Sequence, residues 1–217
     1  MDDLQPLHHL YTHKVTNQSH AIQNINLFAS DIPLQEAITR EGAGWAVPEL
    51  SALGQVLGSD EYYRHGEQAN KYPPVLKRFN RFGQRIDFVE YHPSYHAMMY
   101  LAKMHCIHSS AWLDDVQQKG GGHVLHSAKE FMLGQVESGV CCPITMTYAV
   151  LPALEHNPNL YKMLRPKLIS NTYDSRFVPI SEKDGITMGM AMTEKQGGSD
   201  VRANSTIAKK IQGYEYE

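Results

Sequence analysis

Cysteine is scarce in this chain of 217 residues: there are three, and two of them, Cys141 and Cys142, are adjacent. Neighbouring cysteines bridge only under strain, and Cys106 is left alone, so a disulfide framework is excluded. Three reduced thiols suit a cytoplasmic protein. Long apolar runs are lacking too. No stretch of 18 apolar residues occurs and the mean hydropathy is -0.41, which excludes a membrane-spanning helix. Excess positive charge is missing: 20 basic against 23 acidic side chains leave a net charge of -3, so no strongly basic nucleic-acid footprint lies in this stretch. The opening MDDLQPLHHLYTHKV has neither the basic nor the apolar region of a secretory signal. G-x-G-x-x-G and G-K-[ST] phosphate loops are absent, as are internal repeats.

The apolar content of 42% against 20% charged residues is that of a globular chain. Residues 1–30 are polar and aperiodic and read as an extended arm. Ser30 or Asp31 then suits a helix N-cap, with Pro33 in the first turn and a stripe of Leu34, Ala37 and Ile38 that Gly42 and Gly44 stop. Leu50, Leu53, Val56 and Leu57 make one face of a second helix, ended by Gly58. A more polar helix is predicted from Asp60 to about Ala69. Lys77 to Tyr91, with Arg78, Arg81, Gly83 and Arg85, reads as a turn-rich loop. Helical patterns resume at Pro93, with Ala97, Met98, Leu101 and Met104 on the inner face. They continue through Val124, Leu125, Ala128, Phe131, Met132, Gln135 and Val136, then Ile144–Leu154 and about Leu160–Leu168. Short connections favour a bundle of antiparallel neighbours.

Beyond Asn171 the pattern changes. ITMGMAMT, Ile186 to Thr193, reads as a buried strand; STIAKKI, Ser205 to Ile211, reads as a second, turned by Gly213 into YEYE. The expected fold class is mainly α: a helical domain over 31–180 after an arm over 1–30, and the start of a β domain over 181–217 that the chain does not complete.

Chemistry concentrates in Met192-Thr193-Glu194-Lys195-Gln196-Gly197-Gly198-Ser199-Asp200. Paired glycines let backbone N–H groups approach a ligand, and Thr and Ser add hydroxyls, a combination suited to the carbonyl edge of a heterocycle or to a phosphate oxygen. The other tempting residues have plainer readings. His92/His96, His105/His108 and His123/His126 share helix faces, but no Glu-x-x-His pair or H-E-x-x-H accompanies them, so a metal site is not expected. Met98, Met99, Met104, Met188 and Met190 suit adaptable core. Arg78, Arg81 and Arg85 suit a solvated or salt-bridged loop. Asp114, Asp115, Glu130 and Glu137 read as exposed helix charges, and Cys141-Cys142 as buried thiols with no cation to activate them.

Ala191 to Asp200, AMTEKQGGSD, resembles the TEP-x-AGSD flavin loop of the acyl-CoA dehydrogenase family, and its TEKQGGSD form resembles the AidB-type branch of alkylation-response flavoproteins. Ala37–Trp45 (AITREGAGW) and Cys142–Ala149 (CPITMTYA) resemble that branch in the same order, so the likeness covers about residues 30–217. It implies an N-terminal helical domain, a central β-barrel and a C-terminal helical bundle, with FAD between barrel and bundle. Met192 and Thr193 would then meet the flavin ring, with Gly198 and Ser199 near the FAD pyrophosphate. The implied reaction is α,β-dehydrogenation of an acyl-CoA or related thioester, although Lys195 replaces the family's usual proline and Gly197 its usual alanine. A homotetramer and protection of DNA from alkylation through a C-terminal region are further implications. The family's base is a glutamate of the C-terminal bundle, so no catalytic residue is nominated here and this polypeptide alone is not expected to be a competent dehydrogenase. A cofactor-free helical interaction module is the alternative.

Overall fold

In the computed structural model, residues 12, 16–19, 21–213 and 215–217 are described. Much of the expected arm over 1–30 lies outside them, as does Tyr214 of YEYE; its described part from residue 21 is irregular up to the first helix. The element order is α1 (Ile32–Arg40), α2 (Val47–Leu57), α3 (Asp60–Lys71), β1 (Val75–Phe79), β2 (Arg85–Glu90), α4 (Pro93–Met104), α5 (Asp114–Lys119), α6 (Gly122–Val136), α7 (Cys141–Leu154), α8 (Pro158–Leu168), β3 (Lys210–Gln212) and β4 (Glu215–Tyr216). The fold is mainly helical, as the sequence implied.

Local chemistry sets the helix starts. Asp31, not Ser30, caps α1, its carboxylate accepting the Leu34 N–H at 2.9 Å. Ser59 caps α3 and Asn157 caps α8, and α4 and α8 each carry a proline in the first turn, where a missing N–H costs nothing. The start of α6 needs glycine. Gly121 has φ +71°, and a Cβ there would lie 2.7 Å from the Gly42 carbonyl oxygen.

The main core joins the inner faces of α1, α2, α4 and α6. Leu50, Leu53 and Leu57 of α2 share it with Met98, Met99 and Leu101 of α4 and with Leu125, Met132 and Leu133 of α6, all essentially without solvent exposure. A smaller cluster, Leu151, Leu164, Leu168 and Ile186, joins α7 and α8 to the segment that leaves the bundle. Burial of these side chains stabilises each by about 1.5–3 kcal/mol relative to exposure.

Several expectations are corrected. Lys77–Tyr91 is no loop but contains most of an antiparallel hairpin, Val75 pairing with Glu90 and Lys77 with Phe88. Asn80 Oδ1 accepts the N–H groups of Phe82 and Gln84, and Gly83 takes φ +74° in the turn. Both strands are exposed throughout. Ile186–Thr193 is not a strand: Ile186 is buried, but the run forms no ladder and Met190 and Met192 are exposed. In Ser205–Ile211 pairing begins only at Lys210, which meets Tyr216 across the Gly213 turn. Met104, expected inside, is exposed. Cys142, expected buried, is exposed as well.

Candidate functional site

The Met192–Asp200 bend begins where an extended segment leaves the bundle. Gly185 makes the exit tight, because a Cβ there would lie 2.0 Å from the Thr172 carbonyl oxygen. Two N–H groups of the segment find acceptors on helices instead of on a neighbouring strand. Ile186 N–H donates to the Lys167 carbonyl at 3.1 Å and Met188 N–H to Thr147 Oγ1 at 3.0 Å. Thr147 is buried in α7 and turns its own O–H onto the Pro143 carbonyl at 2.7 Å.

The bend is held by its own groups. Gly197 N–H donates to the Glu194 carbonyl at 3.1 Å, with Gly197 at φ +141°. The Glu194 carboxylate gathers the returning chain: it accepts Thr206 N–H at 2.6 Å and Ser205 N–H at 3.1 Å, and also touches Gln196 Nε2. Hydrogen bonds from Thr206 and Ser205 hold this carboxyl below the ordinary range. Asn204 Nδ2 donates to the Met192 carbonyl at 2.6 Å.

Of the four residues singled out in the sequence, two are in contact. A Cβ on Gly198 would lie 2.8 Å from Thr193 Oγ1, so only glycine lets the Gly198 backbone come this close. Met192, Thr193 and Ser199 are exposed. Among the described residues, neither the Thr193 nor the Ser199 hydroxyl makes a hydrogen bond. Two open hydroxyls on a glycine bend are a donor set that fits the polar edge and phosphates of a flavin nucleotide.

A concavity of about 310 Å³ lies between the hairpin base, the start of α4 and residues 173–187. Tyr91 stacks on Tyr95 with centroids 4.3 Å apart, Phe88 meets Phe177 edge-on, and His96 Nδ1 lies 2.8 Å from the Tyr173 hydroxyl. Burial lowers the His96 pKa and pushes Tyr95 up to about 12. Nearby, the Arg176 guanidinium holds the Asp174 carboxyl well below the usual range.

Sequence reasoning missed the buried charges. Lys103 and Lys129 are almost solvent-free. Each sits on an apolar stripe, Lys103 four residues after Met99 and Lys129 four after Leu125, and that spacing was the available signal. Glu130, expected exposed, is largely covered, with its carboxylate 3.1 Å from His126 Nε2, and the His126 ring stacks on Tyr148 at 3.7 Å. No cluster of three or more His, Cys, Asp or Glu side chains forms a metal site among the described residues. No described helix is long and apolar enough to cross a membrane.

The mainly helical fold has solved counterparts. The structure titled Bd2924 apo-form superposes with a TM-score of 0.76 at 26% identity over 92% of this chain. Caenorhabditis elegans ACDH-11, solved in complex with C11-CoA, superposes with a TM-score of 0.72 at 23% identity over 98% of this chain. Residues 17–175 match the family described as the adaptive response protein AidB N-terminal domain, and the chain belongs to that family. It is 42% identical over 209 residues to the putative acyl-CoA dehydrogenase AidB of Escherichia coli (strain K12), a match covering 96% of this chain. The chain spans 38% of that relative's length, and 39% and 36% of the two solved chains.

Proposed function

We propose that this chain supplies the helical domain and the ring-edge loop of an FAD-dependent acyl-CoA dehydrogenase-like oxidoreductase. The observation that carries the reading is the pair of unengaged hydroxyls, Thr193 and Ser199, on a glycine bend in a chain of this family. In this reading residues 31–180 form the helical domain, after an arm over 1–30, and 181–217 open the β domain. Met192 would lie against the flavin ring and Thr193 would donate to its pyrimidine edge. Gly198 would allow close approach, and Ser199 would face the pyrophosphate. Bound FAD would supply the hydride acceptor. This chain's share is to bind the group, orient it and tune it through those hydrogen bonds.

The proposed substrate class is an acyl-CoA or related thioester, in keeping with the name of the E. coli relative. Removing its α-proton needs a base within hydrogen-bond reach, and that role is assigned to a carboxylate outside these residues. A homo-oligomer, a cytoplasmic location and an alkylation-response role with DNA contacts outside this chain complete the proposal. The test is a protein extended to the full length of the relative. A yellow preparation with a flavin absorbance band is expected, and Thr193→Val with Ser199→Ala should release the colour without unfolding the protein. A folded, colourless full-length protein overturns the reading. It would favour a cofactor-free interaction module, for which the exposed Phe79 and Phe82 of the hairpin speak.

A further inference from the structure

We infer that Lys103 and Thr147 are positioning residues: together they form a latch that sets where the segment leading to the Met192–Ser199 bend leaves the helical bundle. Lys103 lies in α4 and Thr147 in α7, far apart in sequence, yet both bind the same three-residue stretch. Lys103 Nζ donates to the Ile186 carbonyl at 3.2 Å, and Thr147 Oγ1 accepts the Met188 N–H at 3.0 Å. Between these contacts lies Thr187, whose exposure shows that the stretch is gripped from one side only.

The Lys103 ammonium has three protons to donate, and two of its neighbours are carbonyl acceptors, those of Ile186 and, at 3.4 Å, Leu168. His108 Nε2 lies 2.9 Å from the ammonium and 3.1 Å from the Ser170 carbonyl. No carboxylate pairs with it among the described residues. A buried ammonium is costly to desolvate, and an apolar side chain of similar size would fill the space at lower cost. What the ammonium adds is direction. It joins the last turn of α8 to the first residue of the departing segment, and Ile186 N–H closes the same junction on the Lys167 carbonyl at 3.1 Å. Residues 169–185 form a loop whose two ends are therefore held together.

Thr147 adds the second point. Its O–H is committed to the Pro143 carbonyl, which orients an oxygen lone pair toward Met188 N–H. Two anchors on different helices fix both the origin and the heading of the chain. From Met188 to Thr193 the backbone spans at most about 17 Å, so the latch limits where the Thr193 hydroxyl can be. Residues 189–193 are exposed and have no ladder of their own to do this.

The functional consequence rests on the flavin reading above, but the latch is testable without flavin. Hydrogen exchange would be followed in this chain for wild type, Thr147→Val, Thr147→Ser and Lys103→Met. Thr147→Val should speed exchange across 186–206 by about three- to tenfold, the worth of one lost hydrogen bond. Peptides of α6 should keep wild-type rates, and Thr147→Ser, which retains the hydroxyl, should restore protection. Lys103→Met should loosen the same stretch. Unchanged exchange over 186–206, or equal acceleration in α6, overturns the latch. In the full-length protein, Thr147→Val should also weaken flavin retention by a similar factor at an unchanged melting temperature. Full retention at wild-type affinity refutes the positioning role, whereas a wild type that never holds flavin refutes the flavin reading and leaves the latch to be decided by exchange.

Discussion

Lys129 Nζ lies 2.5 Å from Glu49 Oε1, an ion pair whose cation is 2% exposed and whose carboxylate is 45% exposed. The asymmetry matters more than the pairing. The lysine also donates to the His105 carbonyl at 2.8 Å and to Ser110 Oγ at 3.0 Å, so α6 is tied through it to α2 and to the turn after α4.

Removing the two partners should therefore have unequal effects. Glu49→Gln strands a buried ammonium and should destabilise by about 2–4 kcal/mol. Lys129→Met leaves a carboxylate that water already reaches and should cost less than about 2 kcal/mol. Urea unfolding of both variants at neutral pH measures the difference, and the reverse order would contradict it.

Gly66 lies inside α3, where alanine normally gains about 1 kcal/mol in helix propensity. Here a Cβ would sit 2.3 Å from the Val136 carbonyl oxygen at the end of α6. Gly66→Ala should consequently destabilise, by a net of about 1–2 kcal/mol. A raised melting temperature would show that α3 and α6 are not in such close approach.

Acid should weaken the fold through His108. Burial, and then the neighbouring Lys103 ammonium, lower its pKa from the ordinary 6.5 to about 3. Between those two values the unfolded chain binds the proton and the folded chain does not, so stability rises with pH across that window and is lost as pH falls through it. Lys103, lowered to about 8 chiefly by burial, adds a rise of the same sign between there and its ordinary 10.5. His108→Gln removes the titrating imidazole while keeping a polar side chain beside Lys103, and should flatten the acid limb. Denaturation midpoints at pH 4.5 and 7 in both proteins test this.

Glu194 should hold the bend together more than its exposure suggests. Glu194→Gln weakens its acceptance of the Ser205 and Thr206 N–H groups and should destabilise the loop by about 1 kcal/mol. Limited proteolysis should then cut within 194–206 faster than in wild type while α1 to α8 stay intact. An unchanged cleavage rate would show that the carboxylate does not restrain the loop.

Local signals wrote themselves into the sequence where chemistry acts over a few residues. The Asp31 cap, the Leu50–Leu53–Leu57 stripe, the prolines that open α4 and α8 and the turn at Gly213 were all legible, because caps, stripes and glycine turns depend on neighbours in the chain. The hairpin was not legible, since Val75–Phe79 does not alternate and Arg85–Glu90 alternates only over its first four residues. Nor was the lack of pairing in Ile186–Thr193: its composition suits a strand, but a ladder needs another strand's backbone.

From the amino-acid order alone came the mainly helical class, the likeness to acyl-CoA dehydrogenases and the hydroxyl-and-glycine bend. Only the tertiary structure decided that Lys103 and Lys129 lie inside, that Thr147 meets Met188, and that Gly198 rests against Thr193. Burying a charge or closing a contact between distant segments depends on what packing brings alongside, and no local pattern encodes that proximity.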